Sequence, residues 1–243
     1  KEIWAYGFRN PHRLHFAIDR EHPDHDRLIA NSIGLHTWET VNIVHKGANY
    51  GYSQREGNEA LQRDNKTAAL PADDHLPVQI TETITHGMAT PHYPVIQYGH
   101  VKGGGDAIGS GFLYTGTLIP ALRGKYVFTD ISTGHVWYAD YHEMLAADDE
   151  KPDTLAAMHE IKLSWSNPNA ASEAGPSLYD AMFPIAEAAY HVRGGKRPHL
   201  PGRALVSGDG RADAHVAVDA AGELYVFTKT DGTLRVVAAA IKN

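Results

Sequence analysis

Cysteine is absent from the 243 residues. Disulfides, thiolate catalysis and thiolate metal sites are therefore excluded, while the compartment stays open because many exported proteins lack disulfides. No apolar run approaches the roughly 18 residues that a membrane helix needs, so no membrane span is expected. Positive charge is in deficit: 22 lysines and arginines stand against 29 aspartates and glutamates, a formal net charge of -7. That balance argues against nucleic acid as the main partner, since phosphate binding needs a positive face. The opening "KEIWAYGF" has neither an initiator methionine nor a basic-then-apolar leader. A mature exported protein, or a piece of something longer, looks like that.

What the sequence does have is a succession of short β-favouring runs. "RLHFAID", "RLIANSI" and "ETVNIVHKG" come first, broken by charged or glycine-bearing turns. "GSGFLYTG", "GKYVFTDI" and "GHVWYADY" follow, then "AHVAVDA", "ELYVFTKT" and "TLRVVAA". "KYVFTDISTGHVWYA" and "LYVFTKTDGTLRVVA" echo one another as strand, glycine turn, strand. Such repetition predicts an all-β fold, a β-propeller with four strands per blade, and about three blades for this chain. The blades are expected to end near Val44, Tyr141 and Val237. Three blades do not close a ring, so residues 1–243 are expected to form a partial propeller. Its complement is either a missing propeller half or a second copy of the chain related by two-fold symmetry.

Two stretches interrupt the strands. Gln54 to His86 is polar and reads as an extended surface excursion. "EMLAADD" and "SLYDAMFPIAEAAYHVRGG" contain short helix-like pieces. "HPDHD", His22 to Asp26, has two imidazoles and two carboxylates that could bind a divalent metal; its place between two strands favours a polar hairpin loop. The glycine-rich "GHVKGGGDAIGSG" lacks the Gly-Lys-Ser/Thr ending of a phosphate loop and leads into a strand. There is no Gly-x-Ser-x-Gly elbow. The aromatics Trp38, Phe112, Tyr114, Phe128, Trp137, Tyr225 and Phe227 are expected between blades, where any of them could instead wall a sugar site.

"EIWAYGFRNPHRL", "IGLHTWETVNIVHKGANYGY" and "REG" together resemble the soluble quinoprotein glucose dehydrogenases and the related sorbosone dehydrogenases. "YPVIQYGH", "AIGSGFLYTGTLIPALRGKYVFTDISTGHVWYAD" and "GDGRADAHVAVDAAGELYVFTKTDGTLRVV" agree in order. The resemblance implies the C-terminal half of a six-bladed propeller that binds pyrroloquinoline quinone (PQQ) with calcium. It further implies oxidation of a sugar or other polyol, export to the periplasm or beyond, and a downstream electron acceptor such as a cytochrome.

Residue by residue, the resemblance matches Arg9 and Asn10 to an Arg-Asn-Pro step that contacts the quinone. The planar guanidinium fork suits carboxylates and adjacent quinone oxygens. Gly34 and Leu35 fall where main-chain carbonyls bind calcium, a cation that favours hard oxygen donors. "IGLHTWE" departs from the family there, since proline or glutamine commonly follows the glycine. Glu39 and Asn42 are nearby oxygen donors, though Asn42 reads rather as a turn cap. Arg123 is matched to a lysine against the quinone, or is simply a turn residue. Arg211 is matched to the first of a late arginine pair, with His215 in the region of the second. Asp130 and Thr133 read as turn-shaping residues. The family's base is a histidine of the other half, and none of His12, His15, His36 and His45 lies in its motif. No catalytic residue is assigned, and the chain alone is expected to be inactive. The alternative is a non-catalytic propeller that binds a protein or glycan.

Overall fold

The computed structural model describes residues 2–101, 104–166 and 176–238. The fold is mostly β, with two α-helices among the described residues. A first sheet holds β1 (Pro11–Ala17), β2 (Arg27–Ser32), β3 (Trp38–Ile43) and β4 (Ile96–Gly99), in that spatial order and all antiparallel. A second sheet repeats the plan with β5 (Ile108–Leu113), β6 (Lys125–Asp130), β7 (Val136–Asp140) and the short β8 (His159–Glu160). A third sheet holds β9 (Ala214–Val218), β10 (Leu224–Thr228) and β11 (Thr233–Val236). The two echoing motifs are the β6–β7 and β10–β11 hairpins.

The expected boundaries need correction in two places. The first sheet does not end near Val44, because its outer strand arrives only at Ile96, after the long excursion. The second runs past Tyr141 to Glu160, and the third has three strands among the described residues. The excursion is not plain surface loop either. Arg55–Glu56, Glu59–Leu61 and Thr67–Ala68 form a small sheet, and Leu76–Gln79 pairs with Thr85–Ala89. Short charged runs hide this pairing, since only Ala60 and Leu76 give their strands a buried apolar anchor. The helix-like pieces are α1 (Tyr141–Ala147), whose Asp140 cap accepts the His142 N–H, and α2 (Met182–Val192).

Packing orders the sheets. The first strand of each lies against the first strand of the next, β1 on β5 and β5 on β9. The middle sheet is therefore covered on both faces, and β6 is buried along Tyr126, Val127, Phe128, Thr129 and Asp130. Tyr98, Phe128 and Trp137 fill the space between the first and second sheets, with centroids 4.9 to 6.5 Å apart. The flanks differ. Leu14 and Phe16 on β1, and Ile18 just beyond it, are 62%, 60% and 52% exposed, as Leu234 and Val236 are on β11 at 63% and 52%.

Candidate functional site

Strand direction divides the functional side chains between two ends of the sheets. The seven residues of β1 span about 23 Å when extended. What enters β1 and what leaves it therefore lie far apart.

Arg9 and Asn10 lie at the entering end, where Pro11 fits because β1 is an edge strand. Asn10 accepts the Ile33 N–H through its carbonyl at 2.9 Å, which draws the loop after β2 alongside. That loop carries Gly34 and Leu35, and Arg9 and Gly34 line one cleft with Trp38, Tyr52 and Glu56. The loop is wrapped around a carboxylate. Glu56 Oε1 accepts the N–H groups of Leu35, His36, Thr37 and Trp38 at 2.8 to 3.1 Å, and Glu39 Oε1 takes that of Gly34 at 3.1 Å. Glycine is required at 34, because a Cβ there would meet the Trp38 carbonyl oxygen at 1.8 Å. The N–H groups are thus spent inward, and the Gly34 and Leu35 carbonyls accept no hydrogen bond from any described residue. Glu39 is fully buried, held by His100 Nε2 at 2.7 Å and by the Ile108 N–H at 2.7 Å. Burial raises its pKa against those bonds.

Arg211 and His215 reach the same end from the third sheet. The Ala212 and Ala214 N–H groups donate to Ser132 and Ile131 at 2.8 and 3.0 Å, beside the exit of β6. Asp130, at that exit, accepts the Ser132 and Thr133 N–H groups, so Asp130 and Thr133 do shape the turn. The His215 ring stacks 6.1 Å from that of His12 on β1. Arg211 pairs with Asp213 at 3.1 Å. Three buried nitrogens of this group have no partner among the described residues: His12 Nε2, Arg211 Nε and His215 Nδ1. Burial, reinforced by Arg13, His12, Arg211 and Lys229, pushes the His215 pKa down to about 4. Burial and then Arg13 lower that of His12 as well. Arg13, Arg211 and Lys229 thus stand around His215, with Asp213 paired to Arg211.

Arg123 is not part of this group. It caps the short turn Pro120–Leu122 between β5 and β6, at the far end of the sheets, exposed and paired with Glu21 at 2.6 Å. The pairing of antiparallel β5 and β6 puts that turn with the residues that leave β1, away from Arg9 and Arg211. Sequence reasoning in turn gave no role to Arg13 or Glu56. Both lie inside matched motifs, Arg13 two residues past the Asn-Pro step and Glu56 within "REG".

Among the described residues no helix is long and apolar enough to cross a membrane. The pattern of the Glucose / Sorbosone dehydrogenase family matches residues 1–160. Among curated proteins, the chain is 29% identical to the HIPL1 protein of Arabidopsis thaliana over 140 residues, which is 56% of this chain and 18% of that protein. HIPL2 of the same plant is also 29% identical, over 142 residues, again 18% of its length. Among solved structures, one glucose dehydrogenase is 17% identical with a TM-score of 0.50, covering 99% of this chain and 47% of that one. The PQQ-bound aldose sugar dehydrogenase of Streptomyces coelicolor is 16% identical with a TM-score of 0.44, covering 96% and 44%. The chain thus spans less than half of each of these two solved structures, and the likeness at a TM-score of 0.50 speaks for the fold alone. With the pattern covering about two thirds of its length, the chain belongs to the glucose/sorbosone dehydrogenase family.

Proposed function

We propose that this chain supplies part of the cofactor site of a PQQ- and calcium-dependent enzyme that oxidises a sugar or other polyol. The observation that carries the reading is the set of Arg13 and Arg211 around His215, at the end of β1 where Arg9 also lies, with nitrogens of His12, Arg211 and His215 that have no partner among the described residues. Such a cluster suits an anion with several oxygen acceptors, and PQQ is a tricarboxylate quinone. When bound, the quinone supplies the two-electron acceptor for the alcohol carbon.

The chain's residues fit that group and its calcium in the following way. Arg9 and Arg211 would pair with its oxygens, and Asn10 would add a neutral donor. His215, held neutral by its depressed pKa, offers one donor and one acceptor without adding charge. The free Gly34 and Leu35 carbonyls are hard oxygen donors suited to calcium, braced from behind by Glu56. The family's base is assigned to the other half of the ring, since no histidine here lies in its motif; His15 Nε2 also already accepts the Leu113 N–H at 3.1 Å, and His45 is bonded to Asp148 at 2.8 Å. The proton acceptor would come from outside residues 1–243.

In this reading the three sheets are three blades of a six-bladed ring. The exposed Leu14, Phe16, Ile18, Leu234 and Val236 would be covered by the missing propeller half, each burial contributing about 1.5–3 kcal/mol when complete. The enzyme would work in the periplasm or outside the cell and pass electrons to an acceptor such as a cytochrome. The test is dye reduction by the full-length protein loaded with quinone and calcium, with aldoses as substrates. Sugar-dependent reduction is expected. Absence of quinone uptake at micromolar concentration would eliminate the enzyme in favour of a propeller that binds a protein or glycan.

A further inference from the structure

The end of the sheets opposite Gly34 carries a second cluster, which the proposed oxidation does not use. The turn between β1 and β2, residues 19–26, holds Asp19, His22 and His25, whose ligand atoms all lie within 4.8 Å of one another. Two separations are informative. Asp19 Oδ2 is 3.4 Å from His22 Nδ1 and 3.5 Å from His25 Nδ1, too long for good hydrogen bonds between such groups. Donors on one tetrahedral zinc, at about 2.0–2.1 Å from the metal, stand about 3.3 Å apart. His25 Nδ1 is buried and has no hydrogen-bond partner among the described residues.

A third imidazole arrives from a different sheet. His142 lies on α1, and its ring is edge-on to His22 at 6.0 Å and to His25 at 5.5 Å, while His22 and His25 are 5.1 Å apart. Imidazoles sharing one tetrahedral ion stand about 5 Å apart by the same bond lengths. The turn is held in place before any ion arrives. Asp19 Oδ1 accepts the Glu21 and His22 N–H groups, Asp26 accepts the Asp19 N–H at 2.8 Å, and the Tyr141 hydroxyl donates to the His25 carbonyl at 2.6 Å. Such fixing of ligands by outer hydrogen bonds is what a metal site needs. Asp19, His22 and His142 line an open cleft of about 580 Å³, so a hydrated ion has a path in.

We infer that Asp19, His22 and His25 bind a divalent ion of the zinc class, and that His142 closes the site and ties the first sheet to the second. Nitrogen donors disfavour calcium and magnesium and favour zinc, nickel, copper or cobalt. The "HPDHD" loop is therefore both a hairpin turn and a ligand set.

Cobalt(II) titration of the full-length protein tests this, read from the visible absorption of tetrahedral cobalt and its displacement by zinc. One equivalent should bind with that spectrum. His25→Ala should weaken binding by at least about tenfold, and His142→Ala should change the spectrum and weaken binding about tenfold. His22→Asn guards against misfolding, because its side chain is 52% exposed. It should lose cobalt affinity while far-UV circular dichroism and quinone uptake stay unchanged. No cobalt binding at micromolar concentration, an octahedral spectrum, or wild-type affinity in both His22→Asn and His25→Ala would overturn the assignment. Failure here leaves the quinone site untouched, since the two lie at opposite ends of β1.

Discussion

The two ends of these sheets use histidine in opposite ways. At the end that β1 enters, His12 and His215 stand near Arg13, and burial, then the neighbouring cations, lowers the pKa of both imidazoles. At the end that β1 leaves, His22 and His25 stand beside Asp19 and Asp24. The same side chain is a buried polar contact near arginines at one end and, in the proposed site, a metal ligand beside carboxylates at the other. Burial and neighbouring charge, more than the histidine itself, separate the two sites.

That contrast breaks or sharpens under substitution. The largest effect is expected from Gly34→Ala. The added methyl collides with the Trp38 carbonyl, so urea denaturation should show a loss of about 3 kcal/mol or more, with calcium affinity falling alongside. Arg211→Ala should weaken quinone binding by about 10- to 100-fold, the worth of a charge-assisted contact, and leave cobalt binding at the far end alone. Equal damage at both ends would mean that the ends are not independent.

Acid titration separates the histidines next. His15 is pushed down to about 4 by burial and His215 to about 4 by burial and its cationic neighbours, against an ordinary 6.5. Between those values the unfolded chain binds more protons than the folded one. Stability is therefore full above pH 6.5 and falls as pH drops towards 4. Paired His15→Gln and His215→Asn substitutions should flatten that fall in the urea midpoint, since glutamine still accepts the Leu113 N–H. The smallest effect is expected from Arg123→Ala. Its exposed pair with Glu21 is worth about 0–1 kcal/mol, and quinone affinity should not move.

The strands and the turn residues were legible in the sequence because alternation and glycine punctuation are local. β6, β7 and β10 stand where the echoing motifs put them. What was not legible depends on distance in space. β4 joins the first sheet more than fifty residues after β3, and nothing in "VIQYG" says which sheet it joins. Arg123 reads in the sequence as a cofactor contact or a turn residue, because a position in a motif carries no information about which end of a hairpin it occupies. Glu56 and the loop it holds are 18 to 21 residues apart in sequence, and four converging N–H groups have no sequence signature. His142 joins the "HPDHD" turn only because α1 packs under it.

The most direct measurement is equilibrium uptake of PQQ by the full-length protein in the presence of calcium, followed by quinone absorbance for the wild type and Arg211→Ala. The predicted result is saturable one-to-one uptake at micromolar concentration, weakened at least tenfold by the substitution. Uptake that is absent, or that is the same in both proteins, would contradict a quinone held by the cations at the Arg9 end.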